Sequence, residues 1–260
     1  MALVANVTKS RLDAGEMVLG MSVRLARTGD IAKIAATCGY DFLFIDMEHG
    51  PLGMETVGGI CTAALDAGCS PIVRAASHAS HHASRPLDAG AQGIVVPHVN
   101  SAAEAQAVVD NSRFPPLGHR SVAGGAPQLE YASVPMAEAI EQLNGSTLVV
   151  VMIETAQAVA AVDEIAAVHG VDVLLIGTND LCADMGIPGQ FDHDDVAAAY
   201  EKTIAACRAH GKHVGMGGVY TDLAERYVRM GVRMVLAGGD NTFLMAGARA
   251  RSQFLRGLSL

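Results

Sequence analysis

Short apolar runs recur along the whole chain and alternate with longer stretches that mix alanine with charged residues. The runs are continuous rather than alternating, which is typical of strands buried on both faces of a parallel sheet. The stretches between them, such as GDIAKIAATCGY and HDDVAAAYEKTIAACRAHG, predict amphipathic helices. The pattern predicts strands at residues 17–25, 42–49, 70–75, 93–99, 147–155, 171–180, 213–219 and 233–240.

Eight strand–helix units in 260 residues predict a (β/α)8 TIM barrel, with eight parallel strands in a single domain spanning residues 1–260. A doubly wound open sheet is the alternative. It usually has fewer strands and a G-x-G-x-x-G turn after the first strand, which this chain lacks. Glycine, which favours the left-handed helix cap, ends several predicted helices: Gly39, Gly68, Gly170, Gly211 and Gly231.

The segment 112–146 is longer than the other connections and contains RFPPLGHRSVAGGAPQ, followed by a predicted helix near 131–143. Long loops in compact domains are often functional. Since this segment comes after the fourth strand, we expect it to cover the face of the barrel where the chemistry occurs. Arg120 within it either fixes the loop or touches a substrate.

Composition excludes several classes of function. The net charge is −9, with 18 basic and 27 acidic residues and no basic run, which argues against nucleic-acid binding. The chain has neither a secretory signal nor the stretch of about 18 apolar residues that a transmembrane helix needs, so we expect a cytoplasmic protein that binds no membrane. The cysteines are odd in number and have no C-x-x-C spacing, which predicts reduced core thiols: Cys38, Cys61, Cys69, Cys182 and Cys207.

Polar side chains stand where the predicted strands end, which is the end of a TIM barrel that carries the active site. His49 follows the second strand, Arg74 ends the third, Glu154 ends the fifth and Asp180 ends the sixth, within Gly177–Thr178–Asn179–Asp180. We therefore expect these side chains to meet at one end of the barrel.

Each of these residues has a catalytic interpretation and a structural one. Glu154 and Asp180 offer the oxygen ligands that Mg²⁺ or Mn²⁺ prefer, although Asp180 could instead cap the following helix. His49 could transfer a proton near neutral pH, or it could be a hydrogen-bonded core histidine. A buried Arg74 needs an anion, either an internal carboxylate or a substrate carboxylate.

Weaker signals come from lysines, a histidine cluster and glycine-rich turns. A Schiff-base mechanism needs a lysine at a strand end. None is there, so carbonyl chemistry would have to use a metal; the lysines are Lys9, Lys33, Lys202 and Lys212. The run SHASHHAS, with His78, His81 and His82, is either a transition-metal site or a solvated loop or helix start. The turns GMGG and AGGD either bind phosphate or are simply tight.

Several longer stretches resemble one known family. They are DFLFIDMEHGP, PIVRA, LDAGAQGIVVPHVNSAAEA, RFPPLGHR, VMIETAQAVAAVDEIAAVHGVDVLLIGTNDLCADMG and HGKHVG. Together they resemble the HpcH/HpaI aldolase family, the metal-dependent class II pyruvate aldolases, over residues 15 to 245. The combination of D-x-E-H-G-P, G-A-Q-G-I-x-x-P and I-E-T with G-x-x-D-L carries the resemblance.

The resemblance implies a TIM barrel in a homohexamer, a trimer of dimers that exchange their last helix. It implies a divalent cation, Mg²⁺, Mn²⁺ or Co²⁺, held by Glu154 and Asp180. It implies that His49 acts through water as acid and base, that Asp88 raises the basicity of His49, and that Arg74 binds the keto oxygen and stabilises the enolate. The backbone at Gly177, Thr178, Asn179 and Asp180 would hold the carboxylate of pyruvate.

The implied reaction is the reversible retro-aldol cleavage of a 4-hydroxy-2-oxo acid to an aldehyde and pyruvate or a related 2-oxo acid such as hydroxypyruvate. Asp46 and Glu48 would orient the histidine or a metal-bound water. Met152 stands where relatives often have glutamine. The alternatives are an oxaloacetate-type decarboxylase, an acyl-CoA lyase of the same superfamily, and a non-catalytic barrel.

Overall fold

The strands form a closed barrel in a computed structural model that describes residues 3–219 and 222–258. The eight strands follow one another around the ring in chain order, and each pairs in parallel with its neighbours, β8 with β1 included. The TIM barrel is therefore confirmed. The strands are Val18–Val23 (β1), Phe42–Asp46 (β2), Ser70–Arg74 (β3), Gly93–Val96 (β4), Leu148–Ile153 (β5), Val173–Gly177 (β6), His213–Gly217 (β7) and Met234–Gly239 (β8).

Helices surround the barrel and return the chain to the start of each next strand. They are Val7–Asp13 (α1), Asp30–Thr37 (α2), Met54–Ala67 (α3), Ser80–Asp88 (α4), Ala102–Ser112 (α5), Met136–Ser146 (α6), Ala156–Ala160 (α7), Val162–Ala166 (α8), Thr178–Asp184 (α9), Asp194–Ala209 (α10), Asp222–Met230 (α11) and Asp240–Arg256 (α12). Gly68 ends α3 in the left-handed conformation, as its position predicts. No helix of the described residues is long and apolar enough to cross a membrane.

The barrel interior is filled by large apolar side chains from the strands, including Phe42, Phe44 and Met152. A Cβ at Gly20 would lie only 2.2 Å from the Phe42 ring, so this glycine makes room for the ring. Leu12 of α1 packs with Val18 and Met234, the first residues of β1 and β8, and so closes the N-terminal end of the barrel. The sequence pattern did not predict α1.

The long segment after α5 lies on the other side of the barrel from the one we predicted. Helix α5 has already returned the chain to the N-terminal ends of the strands before the segment begins. There Arg113 donates to the carbonyl oxygen of Gly170 at 2.9 Å and to Asp172 at 2.8 Å, just before β6. The predicted helix near 131–143 is also shifted, to Met136–Ser146.

The last helix lies on the surface of the chain. Helix α12 has no buried residue, and Leu244, Met245 and Phe254 on it are each more than half exposed.

The prediction of core thiols holds for four of the five cysteines. Cys38 is exposed because it follows the last turn of α2, so the prediction is wrong for this residue. The other four cysteines are free and buried, as predicted.

Candidate active site

A cavity of about 220 Å³ opens at the C-terminal ends of the strands. Most of the residues predicted for the site line it, and these are His49, Arg74, Gly177, Thr178, Asn179 and Asp180. Its apolar walls come from the interior side chains Phe44, Met152 and Leu236. The size suits a small substrate, since it lies below the range of about 300–1,000 Å³ typical of pockets for larger ligands.

Glu154 follows β5 and is almost fully buried, with 1% of the residue exposed. Its Oε1 accepts the backbone N–H of His98 at 2.5 Å and lies 3.0 Å from His98 Nδ1. Its Oε2 is buried and has no hydrogen-bond partner among the described residues. A Cβ at Gly177 would lie 2.6 Å from this oxygen, so only glycine keeps that space open.

Burial and nearby negative charges make the ionised form of Glu154 unfavourable unless a cation binds beside it. Burial raises the pKa of Glu154; the His98 amide and ring lower it, but the negative charges of Asp180 and Glu48 raise it further, and the pKa is raised on balance. An orphaned carboxylate oxygen near a second carboxylate fits a divalent cation, which would complete its shell with water or substrate oxygens.

Asp180 lies in the first turn of α9 and lines the cavity. Helix α9 has Gly177 as its N-cap and no side-chain cap, so the capping interpretation of Asp180 is wrong. Thr178 is buried, with its hydroxyl 2.8 Å from the hydroxyl of Tyr200, which anchors the start of α9 against α10. The helix start is therefore held in place while Asp180 faces the cavity.

Arg74 is held by two internal carboxylates, one of the two alternatives that the sequence left open. Its Nε and Nη2 donate to the two oxygens of Asp46 at 2.9 and 2.7 Å, and its Nη1 lies 2.9 Å from Glu48. Burial alone would raise the pKa of Asp46, but Arg74, the backbone N–H of His49 and the charge of Arg24 together lower it. Nη1 of Arg74 also lies 3.9 Å from Met152 Sδ.

His49 stands at the rim of the cavity with about half of its side chain exposed. Its backbone N–H donates to Asp46 at 3.1 Å, and that of Glu48 donates to the same oxygen at 3.2 Å. The nearest approach of the imidazole to a carboxylate is 4.0 Å, from Nε2 to Glu48. Asp46 thus orients the backbone that carries His49 rather than the ring itself.

Two residues that the sequence analysis gave no role also belong to this site. His98, with an unusual φ of 53°, places its ring 3.0 Å from Glu154 and 3.4 Å from Glu48. Arg24 follows β1 and donates from Nε to Asp46 at 2.7 Å. An arginine at the end of an apolar run was the signal that singled out Arg74, and it would have found Arg24 as well.

Asp88 is not brought to His49 within one chain. It is the last residue of α4, and Arg120 Nη2 donates to it at 2.6 Å. Helices of a TIM barrel run back to the N-terminal ends of the strands, so Asp88 and the cavity are on opposite sides. Arg120 therefore fixes the long segment to α4.

The histidine run and Lys212 have structural positions. His81 and His82 lie in the first turn of α4, and His78 Nε2 lies 2.6 Å from the carbonyl oxygen of Pro97. Residues 3–219 and 222–258 contain no group of three or more His, Cys, Asp or Glu side chains that could hold a metal ion. Lys212 lies before β7 and donates to two backbone carbonyls, away from the cavity.

Comparison with known proteins identifies relatives over nearly the whole chain. The model of the family described as HpcH/HpaI aldolase/citrate lyase matches residues 23–246. The 4-hydroxy-4-methyl-2-oxoglutarate aldolase tasA of Hapsidospora irregularis is 39% identical over 255 residues, covering 95% of this chain and 94% of that protein. The 4-hydroxy-2-oxo-heptane-1,7-dioate aldolase of Salmonella dublin is 36% identical over 246 residues, covering 94% of this chain and 92% of that protein.

A solved structure matches the fold closely. The crystal structure of an HpcH/HpaI aldolase from Desulfitobacterium hafniense DCB-2 superposes with a TM-score of 0.91 at 32% sequence identity. The match covers 96% of this chain and 97% of that one. The similarity therefore extends over nearly the whole barrel.

Proposed function

The chain belongs to the HpcH/HpaI aldolase/citrate lyase family and is a carbon–carbon lyase, and we propose that it cleaves a 4-hydroxy-2-oxo acid to pyruvate and a carbonyl compound. The observation that carries this proposal is the joint placement of Glu154, Asp180, Arg74 and His49 at one end of the barrel. The first two offer a cation site, the third a positive charge, and the fourth a group that can transfer a proton. The aldolase relatives make the non-catalytic barrel untenable.

The unpartnered Oε2 of Glu154, its raised pKa and the nearby Asp180 support a divalent cation as the cofactor. We infer that Glu154 and Asp180 hold it and that Mg²⁺, Mn²⁺ or Co²⁺ would serve. When bound, the cation supplies Lewis acidity toward the oxygens of the 2-oxo acid.

The residues of the chain account for the remaining steps. The guanidinium of Arg74 stabilises the negative charge that develops on the 2-oxo oxygen. His49 takes the proton of the 4-hydroxyl group, directly or through water, and the C3–C4 bond then breaks. The electron pair of the C3–C4 bond forms the enolate of pyruvate, while the C4 fragment leaves as a carbonyl compound. Protonation of the enolate at C3 gives pyruvate, and aldol synthesis is the reverse.

The carboxylate of the 2-oxo acid would lie at the start of α9. The first backbone N–H groups of a helix have no partner within the helix. Gly177, Thr178 and Asn179 present this turn to the cavity beside Asp180. We propose that these N–H groups hold the substrate carboxylate.

Assembly would explain two features that one chain leaves open. We propose a homohexamer, a trimer of dimers, in which α12 packs on a neighbouring chain and covers its exposed apolar side chains. Asp88 cannot reach His49 within one chain, so the predicted effect of Asp88 on His49 would need a second copy. A single cytoplasmic barrel domain over residues 1–260 completes this proposal.

Light scattering tests the assembly. We expect a mass about six times the 26.9 kDa of the chain. Replacing Leu244 and Phe254 of α12 by glutamate should produce smaller species, because the charges oppose burial of the apolar side chains. The exposed Arg208→Glu on α10 serves as the charge-changing control. A monomeric wild type would contradict the proposal.

The activity is tested by measuring pyruvate from 4-hydroxy-2-oxohexanoate, with lactate dehydrogenase and NADH as the coupled reporter. We expect one pyruvate for each substrate molecule consumed, with propanal as the second product. Incubation with oxaloacetate separates decarboxylase side activity from aldol cleavage. Release of carbon dioxide from oxaloacetate, with no cleavage of any 4-hydroxy-2-oxo acid, would favour the decarboxylase instead.

A further inference from the structure

We propose that Arg24 and Ser22 form a subsite for a second carboxylate of the substrate, so that the carbonyl compound released is itself an acid. This inference rests on the proposed aldol cleavage and specifies its substrate class. It starts from donors in the cavity that no internal group satisfies.

Arg24 has more free hydrogen-bonding capacity than Arg74, whose three nitrogens each already contact a carboxylate. Arg74 is 5% exposed in its side chain, and all three of its nitrogens face Asp46 or Glu48. Arg24 is 40% exposed in its side chain and uses only Nε, toward Asp46. Its Nη1 and Nη2 meet no acceptor in residues 3–219 or 222–258, yet the residue lines the cavity. A guanidinium whose Nη1 and Nη2 are both free can bind a carboxylate through two parallel hydrogen bonds.

Ser22 provides a second donor on the same wall. Its Oγ is buried and has no hydrogen-bond partner among the described residues, and the residue lines the cavity. Ser22 lies in β1 and Arg24 just after it, and both line the same cavity. A buried hydroxyl without a partner carries a desolvation cost that a substrate oxygen would remove.

The backbone that carries Arg24 is held firmly. The carboxylate of Asp240 accepts the backbone N–H groups of Arg24, Leu25 and Ala26, the last two at 2.8 Å. Asp240 lies at the start of α12, directly after β8. The donor is therefore presented by an ordered turn rather than by a loose loop, which favours a binding role.

The position of Arg24 around the ring determines which part of the substrate it meets. β1 lies four strands from β5 in the closed ring of eight, so Arg24 and Glu154 stand on opposite sides of the mouth. A substrate with its 2-oxo acid end at Glu154 and Asp180 would direct its other end toward β1. Among the residues that the structure describes, the β7 and β8 side of the cavity contributes uncharged residues: Gly217, Gly218, Leu236 and Gly238. Arg24 is therefore the cation that the leaving fragment would meet.

Two substrates that differ only at the distal end test this assignment. 4-Hydroxy-2-oxoglutarate releases glyoxylate, and 4-hydroxy-2-oxohexanoate releases propanal, so an ethyl group replaces the carboxylate. We expect wild-type kcat/KM to favour the glutarate by roughly 10- to 150-fold, the range for a charge-assisted hydrogen-bonded pair. This comparison needs no variant. Equal kcat/KM for both substrates would overturn the assignment, while cleavage of neither would count against the aldol function itself.

Variants of Arg24 and Ser22 test whether these residues cause the preference for the glutarate. Arg24→Gln should reduce the ratio of the two kcat/KM values to near one, and Ser22→Ala should reduce it several-fold. Arg24 also supports Asp46, so Arg24→Gln should lower kcat/KM for both substrates to a similar extent. This shared loss does not change the ratio of the two kcat/KM values. Arg229→Gln, an exposed arginine on α11, is the matched control. An unchanged ratio in Arg24→Gln, with both activities reduced alike, would show that Arg24 only supports Asp46.

Discussion

Arg74→Ala is expected to lower kcat for cleavage by roughly 100- to 1,000-fold, the cost of removing one preorganised donor to a developing oxyanion. The reason is geometric. The guanidinium lines the cavity and is fixed by Asp46 and Glu48, so it is already oriented before substrate arrives. Steady-state kinetics with saturating metal measures the effect, and near-normal turnover would remove the enolate role of Arg74.

The same substitution should also destabilise the protein while leaving it folded. It removes the main partner of the fully buried Asp46, and breaking a buried pair costs about 3–5 kcal/mol. Arg24 and two backbone N–H groups still contact Asp46, so we expect the lower end of that range. Circular dichroism and urea unfolding check that lost activity does not reflect lost structure, with the exposed Arg229→Ala as the control.

Glu154→Gln is expected to weaken Mn²⁺ binding by roughly 100-fold or more and to abolish cleavage at physiological metal concentrations. Glutamine preserves the size of the side chain and can keep one contact to His98, so the fold should survive. What it removes is half of the negative charge that Glu154 and Asp180 offer. Isothermal titration with Mn²⁺ measures the loss directly, and the exposed Glu164→Gln on α8 is the control. Unchanged Mn²⁺ affinity would remove Glu154 from the metal site.

The raised pKa of Glu154 adds a pH signature to this prediction. A proton competes with the metal below that pKa, so Mn²⁺ affinity should fall as the pH is lowered, and the fall should begin at a higher pH than for a glutamate with its ordinary pKa. Cation binding in turn should hold Glu154 ionised. The dependence should weaken in Glu154→Gln, because the titrating group is gone. A fall in Mn²⁺ affinity that begins no earlier than for an ordinary glutamate would contradict the raised pKa.

The fold and most of the cavity lining could be predicted from the sequence because they depend on local pattern. Continuous apolar runs mark doubly buried strands, and the barrel topology then brings the residues that follow them to one end. His49, Arg74, Glu154 and Asp180 all follow this rule. Met152 also lies in the wall, beside Arg74.

Features that depend on contacts between distant segments could not be predicted in this way. The long segment after α5 was placed on the wrong side because its position depends on where the preceding helix ends. The pairing of Arg24 with Asp46 joins β1 to β2, and no local pattern reports it. Asp88 was expected beside His49, whereas one chain pairs it with Arg120.

The most direct test of the central claim measures pyruvate release from 4-hydroxy-2-oxoglutarate after exhaustive chelation and again after adding back Mg²⁺, Mn²⁺ or Co²⁺. The account predicts that chelation abolishes pyruvate release and that at least one of these ions restores it, with one glyoxylate formed for each pyruvate. Undiminished release after chelation, or none with any ion, would contradict metal-dependent aldol cleavage at Glu154 and Asp180.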